Sequence, residues 1–166
     1  MGNAVRSLPV SNCEIPKVLR TFYHPDALMT TGAVSHGFGR VTVYFCFPTY
    51  ARSIQDMGHV SSIQITAAVI EGGYCALEDA LGSNLLPAPA TSEWFYDSLS
   101  KWLALRLNIL FRKAQNAGEP TSLDFRVLDI GIQRLRRRQL SATIEFDGFC
   151  SGETMWVIDP PPGLVL

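Results

Sequence analysis

The sequence predicts an α+β domain in which an antiparallel β-sheet wraps around one long central helix, and three patterns point there. A run from Val60 to Leu77 is apolar on nearly every side and too long for one strand, as expected of a helix buried in a sheet. Strict two-residue alternation precedes it, at Val41, Val43, Phe45 and Phe47, and follows it at Leu103, Leu105, Leu107, Ile109 and Phe111. Turn residues then punctuate further alternating runs at short intervals, which suits antiparallel neighbours.

Residues 1–14 read as a flexible N-terminal arm and 15–166 as a single domain, because 166 residues supply one substantial core and not two comfortable ones. Ile15–Tyr23 reads as a short helix entered through Pro16 that buries Val18, Leu19 and Phe22. The strand that opens at Gly39 ends at Pro48, and a polar connection, Tyr50–Met57, leads through Gly58-His59 into the long helix. Inside that helix, glycine costs about 1 kcal/mol relative to alanine, so Gly72-Gly73 points to a close backbone approach or a kink. Leu85–Thr91, with two prolines, is a break, and Ser92 reads as the N-cap of a short helix reaching Lys101.

Four strands follow. Leu103–Phe111 is the first, and Asn116–Pro120 is a turn. The second places Leu123, Phe125 and Val127 on one face and then slips by one position to Leu128, Ile130 and Ile132, which implies a β-bulge. A charged turn, Arg134–Arg138, leads to Leu140–Phe146, and Asp147-Gly148 leads to a last strand, Thr154–Ile158. Read in order, these make a four-stranded meander closed by Asp159-Pro160-Pro161-Pro162.

The formal charge of -1 carries no basic excess for nucleic-acid or anionic-membrane binding, so any anion recognition is local. No uninterrupted apolar run spans a bilayer and Met1–Ser11 lacks a signal-peptide core, so the expectation is a cytoplasmic protein without stable membrane insertion. Cys13, Cys46, Cys75 and Cys150 are widely spaced and read as reduced, buried thiols. His24, His36 and His59 are far apart, so no metal is expected.

The sharpest chemical clue is that the greasy helix carries one carboxylate, Glu71, and one phenol, Tyr74. A buried charge has to be paired, neutralised or used. The element order resembles the hotdog fold, and the residues resemble the FcoT-like acyl-thioester enzymes more narrowly. That resemblance rests on Tyr50-Ala51-Arg52-Ser53, Gly58-His59 and the helix reaching Tyr74, followed in order by Phe111-Arg112-Lys113, Ile144-Glu145-Phe146 and Ser151-Gly152-Glu153. It covers roughly Val18–Val157. The connection from Tyr50 to Gly58 is longer here than in the family, and positions where the family places asparagines read Ser61 and Ile70.

The resemblance implies an enzyme that acts on acyl-CoA or acyl-carrier-protein thioesters, with hydrolysis leading and no cofactor. Lyase or dehydratase chemistry on enoyl or 3-hydroxyacyl thioesters is the second reading, and a non-catalytic acyl-binding domain the third. Its tyrosines match Tyr50, Tyr74 and either Phe22 or Tyr23 here. The backbone N–H groups of Gly58, His59 and Val60 at the helix start would stabilise the carbonyl oxyanion. The sequence has no G-x-S-x-G elbow, which leaves water activated by a base. Glu71 is the leading base, because an apolar setting raises a carboxyl pKa, with pairing to Arg106 as the structural alternative. His59 is a further acid, base or cap.

Ala67 and Ile70 share a helix face with Ile63 and Tyr74 and would line the acyl chain, while Ser61 keeps a hydrogen-bonding group at the helix start. Arg112 and Lys113, or Arg136 and Arg137 in the QRLRRRQ run, would meet the phosphates of CoA or an acidic carrier protein. A long apolar strand such as Leu103–Phe111 needs its edge covered, which predicts a homodimer or a multiple of one.

Overall fold

The computed structural model describes residues 13–48, 60–87, 90–134 and 138–164. The chain enters through α1 (Lys17–Phe22), with Pro16 at its N-cap. Val18 and Leu19 are buried, whereas Phe22 is 42% exposed because it lies on the surface side of Tyr74, 5.5 Å ring to ring. After a single 3-10 turn come β1 (Thr30–Gly37) and β2 (Arg40–Cys46). Sequence reading misses β1, since TTGAVSHG has small side chains at most positions and no run of large apolar ones. Its partner, β2, carries the alternation instead, with Val41, Val43 and Phe45 facing the core.

The hairpin tip between them, Gly37, Phe38 and Gly39, runs through three positive φ values, 76°, 56° and 70°. Glycine reaches these without strain and phenylalanine does not. Phe38 is held there by its N–H, which donates to Ser83 Oγ at 2.7 Å. Asp79 secures the flanks by accepting from the Ser35 hydroxyl and from Arg40 N–H.

The long helix α2 spans Ser62–Gly82. Its start lies beyond the Val60 read from the apolar pattern, because a capping box sets it. Ser61 Oγ accepts from Gln64 N–H, and Gln64 Oε1 accepts from Ser61 N–H at 2.9 Å. Its end passes Leu77 because Glu78 and Asp79 have partners on neighbouring elements, Val18 N–H and Arg40 N–H among them. Gly72-Gly73 is a close approach: a Cβ on Gly72 would lie 2.0 Å from Phe125 Cζ, and one on Gly73 would lie 2.7 Å from Trp156 Cζ2. Among the described residues no helix is long and apolar enough to cross a membrane.

The short helix α3 (Ser92–Ser98) is capped by Thr91, whose Oγ1 accepts from Trp94 N–H at 3.2 Å, so the cap falls one residue before Ser92. A 3-10 turn over Leu99–Lys101 completes the predicted helix. Four strands follow: β3 (Leu103–Phe111), β4 (Pro120–Arg134), β5 (Arg138–Gly148) and β6 (Cys150–Ile158). The bulge expected in β4 lies between Val127 and Asp129.

All six strands form one antiparallel sheet in the order β1-β2-β4-β5-β6-β3. The four later strands are therefore not a simple meander. β3 occupies the edge beside β6, and the chain returns from it across the end of the sheet, where Gln115 O accepts from Val60 N–H and Gly118 N–H donates to Phe47 O. Alternation identifies a strand but carries no information on its neighbour, which here is decided by that long return. The core lies between α2 and the inner sheet face, with Phe45, Leu77, Phe125, Ile144, Phe146 and Trp156 fully buried. Cys13 and Glu14, assigned to the arm, join β1: Glu14 O accepts from Ala33 N–H, and Cys13 sits where a side chain on Gly32 would be.

Candidate functional site

Two features lie along α2. The first is a cleft of about 410 Å³ at its amino end, lined by Val60, Ser62 and Ile65 on one side and by Phe111, Arg112, Lys113 and Gln115 on the other. The second is an apolar stripe that begins at Ile63, 75% exposed, and continues through half-buried Ala67 and Ile70 to buried Tyr74. Residues spaced three and four apart share a helix face, so the stripe is continuous.

Tyr74 ends the stripe in an aromatic group. Its ring lies 4.8 Å from Trp156 and 6.5 Å from Tyr23, and its hydroxyl donates to Leu99 O at 3.3 Å. Burial raises the pKa of both phenols, with the neighbouring Tyr74 and Glu71 adding to the effect at Tyr23. Both tyrosines stay neutral and act as hydrogen-bonding groups.

Glu71 is 1% exposed. It does not pair with Arg106. Its Oε2 accepts from Thr30 Oγ1 at 2.6 Å, Thr30 N–H at 2.9 Å and Met29 N–H at 3.2 Å, while among the described residues Oε1 takes only the second arm of the Met29 bond, also 3.2 Å. Burial pushes its pKa up, and the bonds from Thr30 and Met29 oppose that rise. The carboxylate is thus fixed by the first residues of β1, an element the apolar pattern does not reveal. Thr30 is the residue sequence reading overlooks, and the β-branched pair Thr30-Thr31 ahead of a glycine-rich tip is the signal that marks it.

Of the amides expected to form an oxyanion hole, that of Val60 is committed to Gln115 O at 2.9 Å. Ser61 serves as the helix cap. Arg112 pairs with Asp147 at 2.8 Å on the exposed rim of the cleft, and Lys113 lies beside it without an ion pair among the described residues. The fold therefore brings Val60, Arg112 and Lys113 together at the helix start, and Ala67, Ile70, Tyr74 and Tyr23 along the stripe. Tyr50, Gly58, His59, Arg136 and Arg137 lie outside the described residues.

No protein-family model and no curated protein matches the chain. Among solved structures it is similar to an HP0420-homologue from Helicobacter felis, at 13% identity over 91% of this chain and 93% of that one, with a TM-score of 0.52. It is also similar to a mutant thioesterase from Pseudomonas aeruginosa, at 14% identity over 87% of this chain and 96% of that one, with a TM-score of 0.50. With the strand order and the enclosed helix, these likenesses show an α+β hotdog fold.

Proposed function

We propose that this hotdog domain processes acyl thioesters, with hydrolysis of an acyl-CoA or acyl-carrier-protein thioester as its reaction, as in the FcoT-like enzymes it resembles. The observations that carry the reading are the cleft at the amino end of α2, which has cations on its rim, and the apolar stripe along the same helix. A thioester needs those three surroundings in that order: anion contacts for the carrier, positive potential at the carbonyl and grease for the acyl chain. Arg112 and Lys113 meet the carrier, assisted by Arg136 and Arg137. Gly58 and His59 present backbone N–H groups to the carbonyl oxygen, Tyr50 orients the thioester, and Ala67, Ile70, Tyr74 and Tyr23 receive the chain.

In hydrolysis, water adds to the carbonyl carbon, its proton passes to a base, and the carbon–sulfur bond breaks with the proton delivered to the departing thiolate. Glu71 is the base in this reading. Its raised pKa suits proton transfer, and Oε1, with a single 3.2 Å bond among the described residues, is the atom left to accept. A second copy of the chain pairs along β3, whose Leu103, Leu105, Leu110 and Phe111 are exposed. Phe111 also lines the cleft, so the partner would border it.

One observation favours a second reading, a non-catalytic acyl-binding domain: the Thr30 and Met29 donors already engage both Glu71 oxygens. Thiol release from a panel of acyl-CoAs and acyl-pantetheines decides between them, with Glu71→Gln as control. Hydrolysis predicts release by the wild type and a loss of at least ~100-fold in the folded variant. Equal turnover by both removes Glu71 from the chemistry. Tight binding with no release supports the second reading, and a product that keeps its thioester in mass spectra indicates addition or dehydration.

A further inference from the structure

The inner face of β6 carries two polar groups that the proposed reaction does not use. Thr154 and Trp156 are each 1% exposed. Among the described residues, neither Thr154 Oγ1 nor Trp156 Nε1 has a hydrogen-bond partner. They stand two positions apart on one strand, so both side chains face α2. The indole lies against Gly73, with Nε1 3.1 Å from where a glycine Cβ would be, and its ring meets Tyr74. Trp102 Nε1, a third such atom, belongs to a separate aromatic group with Trp94 and Phe95.

Buried polar groups are satisfied as a rule, and leaving one bare is unfavourable. Valine has nearly the shape of threonine and would fill the Thr154 position without this penalty, as would phenylalanine for much of the indole. The place of Thr154 relative to the cleft suggests a partner for these groups. Cys150 pairs with Phe111, which lines the cleft, and Thr154 pairs with Leu107 further along the same two strands. Between them Ile109 and Leu107 are half-buried on the same face of the sheet. The register therefore sets an unpaired hydroxyl four strand residues from the cleft wall, with an unpaired N–H two residues beyond it.

Resting on the acyl-thioester reading above, we infer that Thr154 and Trp156 form a polar subsite for an oxygen carried far down the acyl chain, so that the preferred substrate is an acyl group bearing a distal hydroxyl or carbonyl. Four strand residues separate Cys150 from Thr154, about 13 Å at ~3.3 Å each. An extended hydrocarbon advances ~1.25 Å per carbon, from bonds of ~1.5 Å at ~111°. The recognised oxygen then sits roughly ten carbons from the thioester, far from the reacting carbonyl. Thr154 Oγ1 can donate or accept and Trp156 Nε1 donates, so the pair accepts either form of oxygen.

The test compares thioether analogues of decanoyl-pantetheine and ω-hydroxydecanoyl-pantetheine by calorimetric titration, which needs no turnover, on the wild type and on Thr154→Val. The expected result is binding of the hydroxylated analogue about tenfold tighter by the wild type, as one added hydrogen bond gives. Thr154→Val brings that ratio close to one while binding the plain analogue as before. Equal binding of the two analogues by the wild type, or a ratio unchanged in Thr154→Val, overturns the inference and leaves the thioester reading standing. Binding of neither analogue overturns the thioester reading and this inference with it.

Discussion

At the scale of single residues, Glu71 is the point at which sequence and structure speak most directly to each other. A lone carboxylate in a greasy helix announces that it has a partner but not which one, and the partners turn out to be Thr30 and Met29, about forty positions earlier. Its raised pKa sets a sign for the pH dependence of stability. The native state holds the proton more tightly than the unfolded chain, so Glu71 contributes stability below the unfolded carboxyl value of about 4.3, and this contribution is lost as pH rises through the higher native value. Thermal unfolding of the wild type and Glu71→Gln from about pH 4 to pH 7 isolates the effect. The stability of the wild type relative to the variant is expected to fall with rising pH, and a difference that grows with pH would mean that the Thr30 and Met29 bonds outweigh burial. Tyr74 was legible in the sequence because a phenol in an apolar run is conspicuous. Thr154 was not, because threonine is an ordinary strand residue until its hydroxyl is seen to be alone.

Among the elements, α2 was the clearest in the sequence and its edges the least clear. The apolar run gave its body, while the Ser61–Gln64 capping box gave its start, a signal written in the sequence as S-x-x-Q and outweighed there by the greasy residues before it. The glycine pair shows packing overruling propensity. Gly72→Ala gains about 1 kcal/mol of helix propensity, but its methyl would lie 2.0 Å from Phe125 Cζ, and forcing extra volume into a packed core costs ~1–3 kcal/mol. The expectation is a net loss of up to ~2 kcal/mol and a Tm lowered by up to ~8 °C in calorimetry. An unchanged or raised Tm would show that Phe125 moves aside freely. β1 escaped notice because a strand of small residues, two of them glycine, leaves no periodic signature, although it holds Glu71 and closes one edge of the sheet.

For the whole molecule, the sheet order leaves β3 as an edge with a row of large apolar side chains, Leu110 at 66% exposure among them. An edge of that kind is a template for another strand. Light scattering after size exclusion is expected to give the mass of two chains, or of a multiple of two, for the wild type. Leu105→Lys with Leu110→Lys is expected to give the mass of one, since charged edge residues oppose strand pairing. A wild type that runs as one chain at micromolar concentration would remove the dimer and its contribution to the cleft. Arg112 and Lys113 then remain as a cleft rim formed by one chain alone.

By itself the sequence determined that a long buried helix is flanked by alternating strands, that a bulge interrupts β4, that the helix glycines mark either a close approach or a kink, and that one carboxylate and one phenol lie within the grease. Each of these follows from local periodicity or from the side-chain chemistry of one residue. Only the tertiary structure decided that β3 pairs with β6, that β1 exists and supplies the donors to Glu71, that Gln115 takes the Val60 amide, and that two polar side chains of β6 face the helix unpaired. Those are pairings between residues far apart in the chain. Periodicity records which way a side chain faces and leaves open what it meets there.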